Sequence, residues 1–407
     1  MNTKKWNGEL ISYGILSAGT LLLVYYLLHV LCGFSLMDAN AYNTFALQAD
    51  SWRQGRLHLG QDYPWLELAI YKDQYFCSFP PFPSYVLFPL TFLFGSNTPD
   101  GVIALAFSVA AVLGLMKAGV KIGLSARDAC ILSLSFTVAT NFMFVFFNPA
   151  VWFFAQTICF SVSVLAILAA LYGKTGLSLF LWSCGVGCRP MQVLYLPVLV
   201  AILYRYYREE KQENLFLVSI RKWYTLLPCG AVALSYMILN YLRFGKITEF
   251  GHNYLPEFMY IHKQFSPEYL QDNLRSLFHM PQIGEDGRLV IDHFGNCNIL
   301  LVNPVVILFI CLMIVALFRF GKNKKELLSS ALVYLCTVVY MIVTMMHATM
   351  GGWQFGNRYF IDCLPWIFYG TAVLLSRQEK MVKGLIPVGV WGLLFNLYGT
   401  IVVYCNY

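Results

Sequence analysis

Long apolar runs alternate with short polar breaks along most of the chain. They lie at about 10–33, 101–119, 129–147, 150–172, 223–242, 299–318, 328–346, 360–376 and 384–404. Each comes close to or exceeds the roughly 20 apolar residues that a helix needs to cross a bilayer. The segment 177–204 is also apolar but is interrupted by GVGCRP, so it reads as a hairpin of two short helices with Arg189 at its turn. The pattern predicts an all-α integral membrane protein of about 11 transmembrane helices, folded as one polytopic domain over 1–407. Two polar stretches break it, at 34–100 and 243–298. Inside the first, PPFPSYVLFPLTFLFG has an apolar part of only about 14 residues, short for a crossing. It is expected to be a re-entrant or juxtamembrane helix that stays on one side.

Composition agrees. Of 407 residues, 58% are hydrophobic and 12% charged, with a mean hydropathy of +0.60; soluble domains carry about 25% charged residues. The first apolar run, from about Ile11 to Cys32, is long for a cleavable signal and lacks a small-residue cleavage site, so it reads as a signal anchor. The net charge of +7 reads as topology rather than nucleic-acid binding, because cytoplasmic loops collect Lys and Arg. Placing the N-terminus in the cytoplasm and keeping 81–95 outside puts 18 of 28 Lys/Arg inside with 7 of 21 Asp/Glu. The long polar stretches and the C-terminus are then extracytoplasmic. A full crossing at 81–95 would turn the basic runs at 205–222, 319–325 and 377–383 outward. Most of the 12 cysteines sit in apolar runs, where Cys behaves as a small hydrophobe. Cys32, Cys77 and Cys297 fall on outer segments and are the ones placed to pair. No CxxC or His/Cys cluster suggests a metal.

With most polar residues on the outer loops, chemistry is sought there. Asp38 follows the first helix almost directly, in GFSLMDANAYNTFALQADSW. It reads as a solvated residue, as an N-cap for AYNTFALQA, or as a carboxylate held at the membrane surface to take a proton from a hydroxyl. Asp50 is a weaker candidate in the same stretch. In LAIYKDQYFCSFPPFPSY, the aromatics suit an interfacial platform or an ordinary aromatic belt, and Lys72 is a candidate phosphate partner. Arg189 lies inside an apolar hairpin, where a cation is costly and faces protein or a polar cavity. It suits either a structural ion pair or an oxyanion, to which a guanidinium offers a fork of donors. Arg358, in MGGWQFGNRYFID, is a second clamp candidate, with Asp362 four residues on as a competing helical partner. Tyr42, Tyr75, Trp353 and Tyr359 are expected to line a substrate cavity together with Asp50. Neither GxxxxGK[ST] nor GxGxxG in a βαβ setting occurs, so no nucleotide site is expected.

The order of these blocks resembles the bacterial membrane glycosyltransferases of the GT-C class, the superfamily of protein mannosyltransferases and aminoarabinose transferases. The resemblance rests on DANAY after one helix, on YKDQYFCSFPPFPSYVLFPL and a short helix ending in FG, and on GVGCRPMQVLYLP, NYLRFGKITEFGHNY and GGWQFGNRYFIDCLP. It covers about 10–376. It implies a polyprenyl-phosphate sugar donor, an inverting displacement onto an acceptor hydroxyl, and juxtamembrane helices in the first outer loop. Asp38 matches the family's catalytic base, while Arg189 and Arg358 match donor-phosphate positions. Many members carry two adjacent acidic residues where this chain has Asp38-Ala39, which leaves Asp38 alone and no cofactor indicated. The expected partners are a lipid-linked sugar, membrane lipid, and a glycan, lipid or protein acceptor. A transporter or flippase for a lipid-linked sugar is the competing reading, with Arg189 at a midplane site; the absence of paired repeats argues against it.

Overall fold

The computed structural model describes residues 3–405 except 260, 262, 286, 288 and 291–296, so part of the stretch expected at 243–298 lies outside the described residues. The chain runs through α1 (Thr3–Cys32), α2 (Thr44–Arg53), a hairpin of β1 (Leu68–Tyr71) and β2 (Gln74–Cys77), and α3 (Phe82–Phe94). It continues through α4 (Asp100–Ile122), α5 (Ala126–Thr137), α6 (Phe142–Phe146), α7 (Val151–Leu171), α8 (Thr175–Val186) and α9 (Leu196–Arg205). Then come α10 (Leu215–Arg221), α11 (Leu227–Phe244), α12 (Leu270–Leu277), the short strands β3 (Gln282–Ile283) and β4 (Leu289–Val290), and α13 (Ile299–Val302). The last elements are α14 (Val305–Phe318), α15 (Phe320–Met345), α16 (Leu364–Leu375) and α17 (Leu385–Cys405).

Among the described residues, six helices are long and apolar enough to cross a membrane: Gly8–Cys32, Asp100–Ile122, Val151–Leu171, Trp223–Phe244, Lys324–Met345 and Lys380–Cys405. Helices satisfy their own backbone hydrogen bonds, which is what an apolar solvent demands. α7 is the most enclosed of them, packed along α4 and α8 and touching α16 and α9. α8 and α14 are shorter apolar helices. α3 has 13 residues, about 20 Å at the α-helical rise, well short of a roughly 30 Å hydrocarbon core. It packs on α2, so the first long polar stretch carries two short helices of its own. β1 and β2 pair antiparallel through a two-residue turn, with Lys72 at φ 51° and Asp73 at φ 58°; a right-twisted hairpin needs those left-handed values.

Three expected continuous helices are interrupted. The run 129–147 breaks at 138–141 between α5 and α6, and 299–318 breaks at Asn303-Pro304 between α13 and α14. The run expected at 360–376 begins as a 3₁₀ turn, Arg358–Cys363, before α16. The breaks meet at one buried junction. The Asn141 backbone N–H donates to Asn303 Oδ1 (3.2 Å), and Asn141 Nδ2 donates to the Asn357 carbonyl (2.8 Å). Asn396 Nδ2 donates to the Val302 carbonyl at 2.8 Å. Unwound backbone among apolar helices is tolerated where protein supplies such partners.

Three ion pairs lie at one end: Lys121–Glu210 (2.9 Å), Lys325–Glu209 (2.8 Å) and Arg377–Glu326 (3.0 Å) tie together the loops read as cytoplasmic. All twelve cysteines are free thiols. Cys77 and Cys297 are buried and unpaired, and the neighbour of Cys32 is Cys405, with the two Sγ atoms 3.5 Å apart.

Candidate active site

At the end opposite those ion pairs, the N-terminus of α7 anchors the loop that follows α1. The Val151 N–H donates to the Tyr42 carbonyl (3.1 Å), and Asn40 Nδ2 donates to Asn148 Oδ1 (3.0 Å). Asn43, not Asp38, is the N-cap of α2. Asp38 is exposed and lines a cavity of about 600 Å³ together with Asn40, Tyr42, Phe153, Trp353 and Tyr404. Trp152 closes one side of it.

Trp152 is also a wall of a second, larger cavity of about 950 Å³, which holds Arg189, Arg358 and Tyr359. Three amides fix the backbone at Arg358. Its N–H donates to Gln354 Oε1 (2.8 Å), its carbonyl accepts from Gln156 Nε2 of α7 (2.8 Å), and the preceding carbonyl accepts from Asn141. The guanidinium lies 5.1 Å from the Trp152 ring and 5.5 Å from the Tyr359 ring. Its Nε and Nη1 are buried without a hydrogen-bond partner, and burial pushes its pKa down. A Cβ on Gly351 (φ +96°) would come within 3.0 Å of Arg358 Nε, so the glycine both makes the turn and leaves room for the guanidinium. A buried guanidinium with idle donors beside a cavity is built to receive an anion.

Arg189 is held differently. Its Nε donates to Asp362 Oδ2 at 2.8 Å, and its guanidinium stacks 4.9 Å from Tyr359. Tyr340 donates to the same oxygen at 2.6 Å, and Gln192 Nε2 to the Asp362 carbonyl at 2.9 Å. The Arg358–Asp362 pair expected on one helix face does not form. Residues 358–363 wind as a 3₁₀ turn, which repeats every three residues, and Asp362 meets Arg189 instead.

The other expected residues divide. Tyr42 and Trp353 line the Asp38 cavity and Tyr359 the arginine cavity. Asp50 pairs with Arg53 at 2.7 Å. Lys72, at the tip of the β1–β2 hairpin, sits 5.3 Å from the Tyr71 ring, and Tyr75 packs against Leu59, Leu66 and Leu68. These three line neither cavity. The structure adds residues that carry no sequence signal. Glu67 Oε2 accepts from Trp152 Nε1 at 2.9 Å and faces the arginine cavity. His252, Glu257 and His347 line its far side. Burial lowers the pKa of both histidines, His252 to about 4. Burial and the charge of Glu67 raise that of Glu257.

No family model matches the chain, and no curated protein matches it in sequence. Solved structures do match in fold. An oligosaccharyltransferase from Archaeoglobus fulgidus is 12% identical, with a TM-score of 0.52 over 98% of this chain and 55% of that one. ArnT from Cupriavidus metallidurans, bound to undecaprenyl phosphate, is 12% identical, with a TM-score of 0.51 over 92% of this chain and 63% of that one. The chain therefore spans less than two thirds of the length of either. It shares the fold of these two proteins, and its apolar helices are those of a membrane protein.

Proposed function

We propose that the chain is a GT-C-type glycosyltransferase that moves a sugar from a polyprenyl-phosphate carrier to an acceptor hydroxyl at the extracytoplasmic face. The observation that carries this is the buried Arg358 guanidinium, with two idle donors, on the wall of the larger cavity. Arg358 holds the donor phosphate, and Arg189, steadied by Asp362, adds positive charge beside it. A lipid-linked donor keeps its phosphate at the interface, where a fixed cation is strongest because water is scarce.

In the proposed step, the acceptor oxygen bonds to the anomeric carbon from the face opposite the phosphate. The carbon–phosphate-oxygen bond breaks, the electron pair leaves with the phosphate, and the proton passes to Asp38. Inversion follows from the single displacement. Asp38 and Arg358 lie on either side of Trp152, so the acceptor enters from the Asp38 cavity and the donor from the arginine cavity. No divalent cation is assigned a role, since Ala39 stands beside Asp38 where a second carboxylate would be. We place the N-terminus in the cytoplasm, with about eleven crossings, and the C-terminus outside.

The test uses purified protein and a panel of polyprenyl-phosphate sugars. Donor binding is read as thermal stabilisation, and transfer as product. Asp38→Asn is expected to keep donor binding and to lose transfer by at least about 100-fold, the usual contribution of a general base. Normal turnover by that variant would remove Asp38 from the role. Sugar movement across proteoliposomes without a new bond would favour a flippase.

A further inference from the structure

The arginine cavity is far larger than a phosphate needs, and its far side has a different chemistry. His252 lines it with both ring nitrogens lacking a hydrogen-bond partner among the described residues. The His347 ring lies 5.7 Å away at 37°. His347 Nδ1 is 2.8 Å from the Thr349 carbonyl. The Thr349 N–H also points at Nδ1, at 3.2 Å, so this nitrogen is engaged by Thr349 in either tautomer. Nε2, on the other side of the ring, is buried with no hydrogen-bond partner. Phe258 packs on both rings, at 4.7 and 5.5 Å, and Phe265 lies 5.0 Å from His347. The apolar rings and the Arg189 charge disfavour a second cation here and keep both imidazoles neutral.

Neutral imidazoles both donate and accept, which suits a ligand rich in hydroxyls and not a second anion. Arg358 is carried eleven residues after His347 on the same loop, and both line the one cavity. We propose that His252 and His347 form the sugar subsite of the donor, taking hydroxyls of the sugar ring whose phosphate rests on Arg358. This rests on the glycosyltransferase reading. Here the histidines are positioning residues that select the sugar and leave the phosphate contact alone.

The experiment titrates the full-length protein in nanodiscs with farnesyl phosphate and with farnesyl phosphate carrying a pentose or a hexose. His252→Phe and His347→Phe keep a ring and remove its nitrogens. Each is expected to weaken the glycosylated lipid that the wild type binds best by about tenfold, a hydrogen bond or two. Farnesyl phosphate should change by less than about twofold. His347→Gln, which restores a donor and an acceptor, should recover most of the loss. Equal weakening of both lipids, or no weakening of the glycosylated one, would overturn the subsite, as would a loss confined to the acceptor. Binding of farnesyl phosphate by the wild type, lost in Arg358→Met, stands or falls separately and reports on the phosphate clamp. If the wild type binds none of these lipids, both readings fail.

Discussion

Two arginines at the site have opposite relations to stability. Arg358 is desolvated and lacks an ion-pair partner among the described residues, so its burial is a cost the fold carries for binding. Arg189 and Asp362 satisfy one another inside the protein, with Asp362 wholly buried. Removing a lone buried charge and breaking a buried pair therefore act in opposite directions. Arg358→Met should melt at the same temperature as the wild type or higher while losing binding of polyprenyl phosphate. Asp362→Asn should destabilise by about 3 kcal/mol, because it leaves the Arg189 charge without its counterion. Thermal denaturation in detergent, with and without farnesyl phosphate, measures both. A large drop in melting temperature for Arg358→Met would show that the guanidinium has a structural partner. At this scale Glu67 carries no sequence signal, and His347, beside an apolar run, reads as a core residue without a role. A lone Glu before a strand and a lone His after a helix acquire meaning only when distant segments wall the same cavity.

At the scale of elements, hydropathy was a good guide to where helices lie and a poor one to where they break. An apolar run reports burial of side chains, and α4, α7 and α17 follow it closely. The interruptions at 138–141 and 303–304 depend on Asn141, Asn303, Asn357 and Asn396 bonding across 94 to 216 residues of sequence, which no local pattern encodes. The i,i+4 pairing of Arg358 and Asp362 failed for the same reason, since it presumed an α-helix where the chain winds more tightly. Close packing at one of these breaks gives a sharp test. A Cβ on Gly392 of α17 would lie 2.2 Å from the Ala139 carbonyl oxygen and 2.9 Å from its Cβ. Backbone cannot retreat as a side-chain tip can, so Gly392→Ala should destabilise by about 1–3 kcal/mol. Gly19 of α1 has nothing within 4 Å of its Cβ position, and Gly19→Ala should be neutral or stabilising through helix propensity. Equal melting temperatures for the two variants would mean that α17 does not pack on the break as described.

For the whole molecule, sidedness ties charge to function. The loops richest in Lys and Arg meet through Lys121–Glu210, Lys325–Glu209 and Arg377–Glu326 at one end, while Asp38, Arg189, Arg358 and both cavities occupy the other. The charge count needs 81–95 to stay on one side, and the 13-residue α3, short for a crossing and packed on α2, agrees with that. The two lines of argument are independent, one electrostatic and one geometric. They predict a labelling pattern in a background from which the native cysteines are removed. Single cysteines at Lys72, before α3, and at Lys263, in the second outer loop, should react with an impermeant maleimide in intact cells. Cysteines at Lys211 and Lys383 should react only after the membrane is permeabilised. If α3 crossed the bilayer, Lys72 would lie opposite Lys263 and share the behaviour of Lys211 and Lys383. Protection of Lys72 together with labelling of Lys263 would therefore break the topology at α3. Labelling of only Lys211 and Lys383 in intact cells would instead invert the whole protein and move the proposed transfer to the cytoplasmic face.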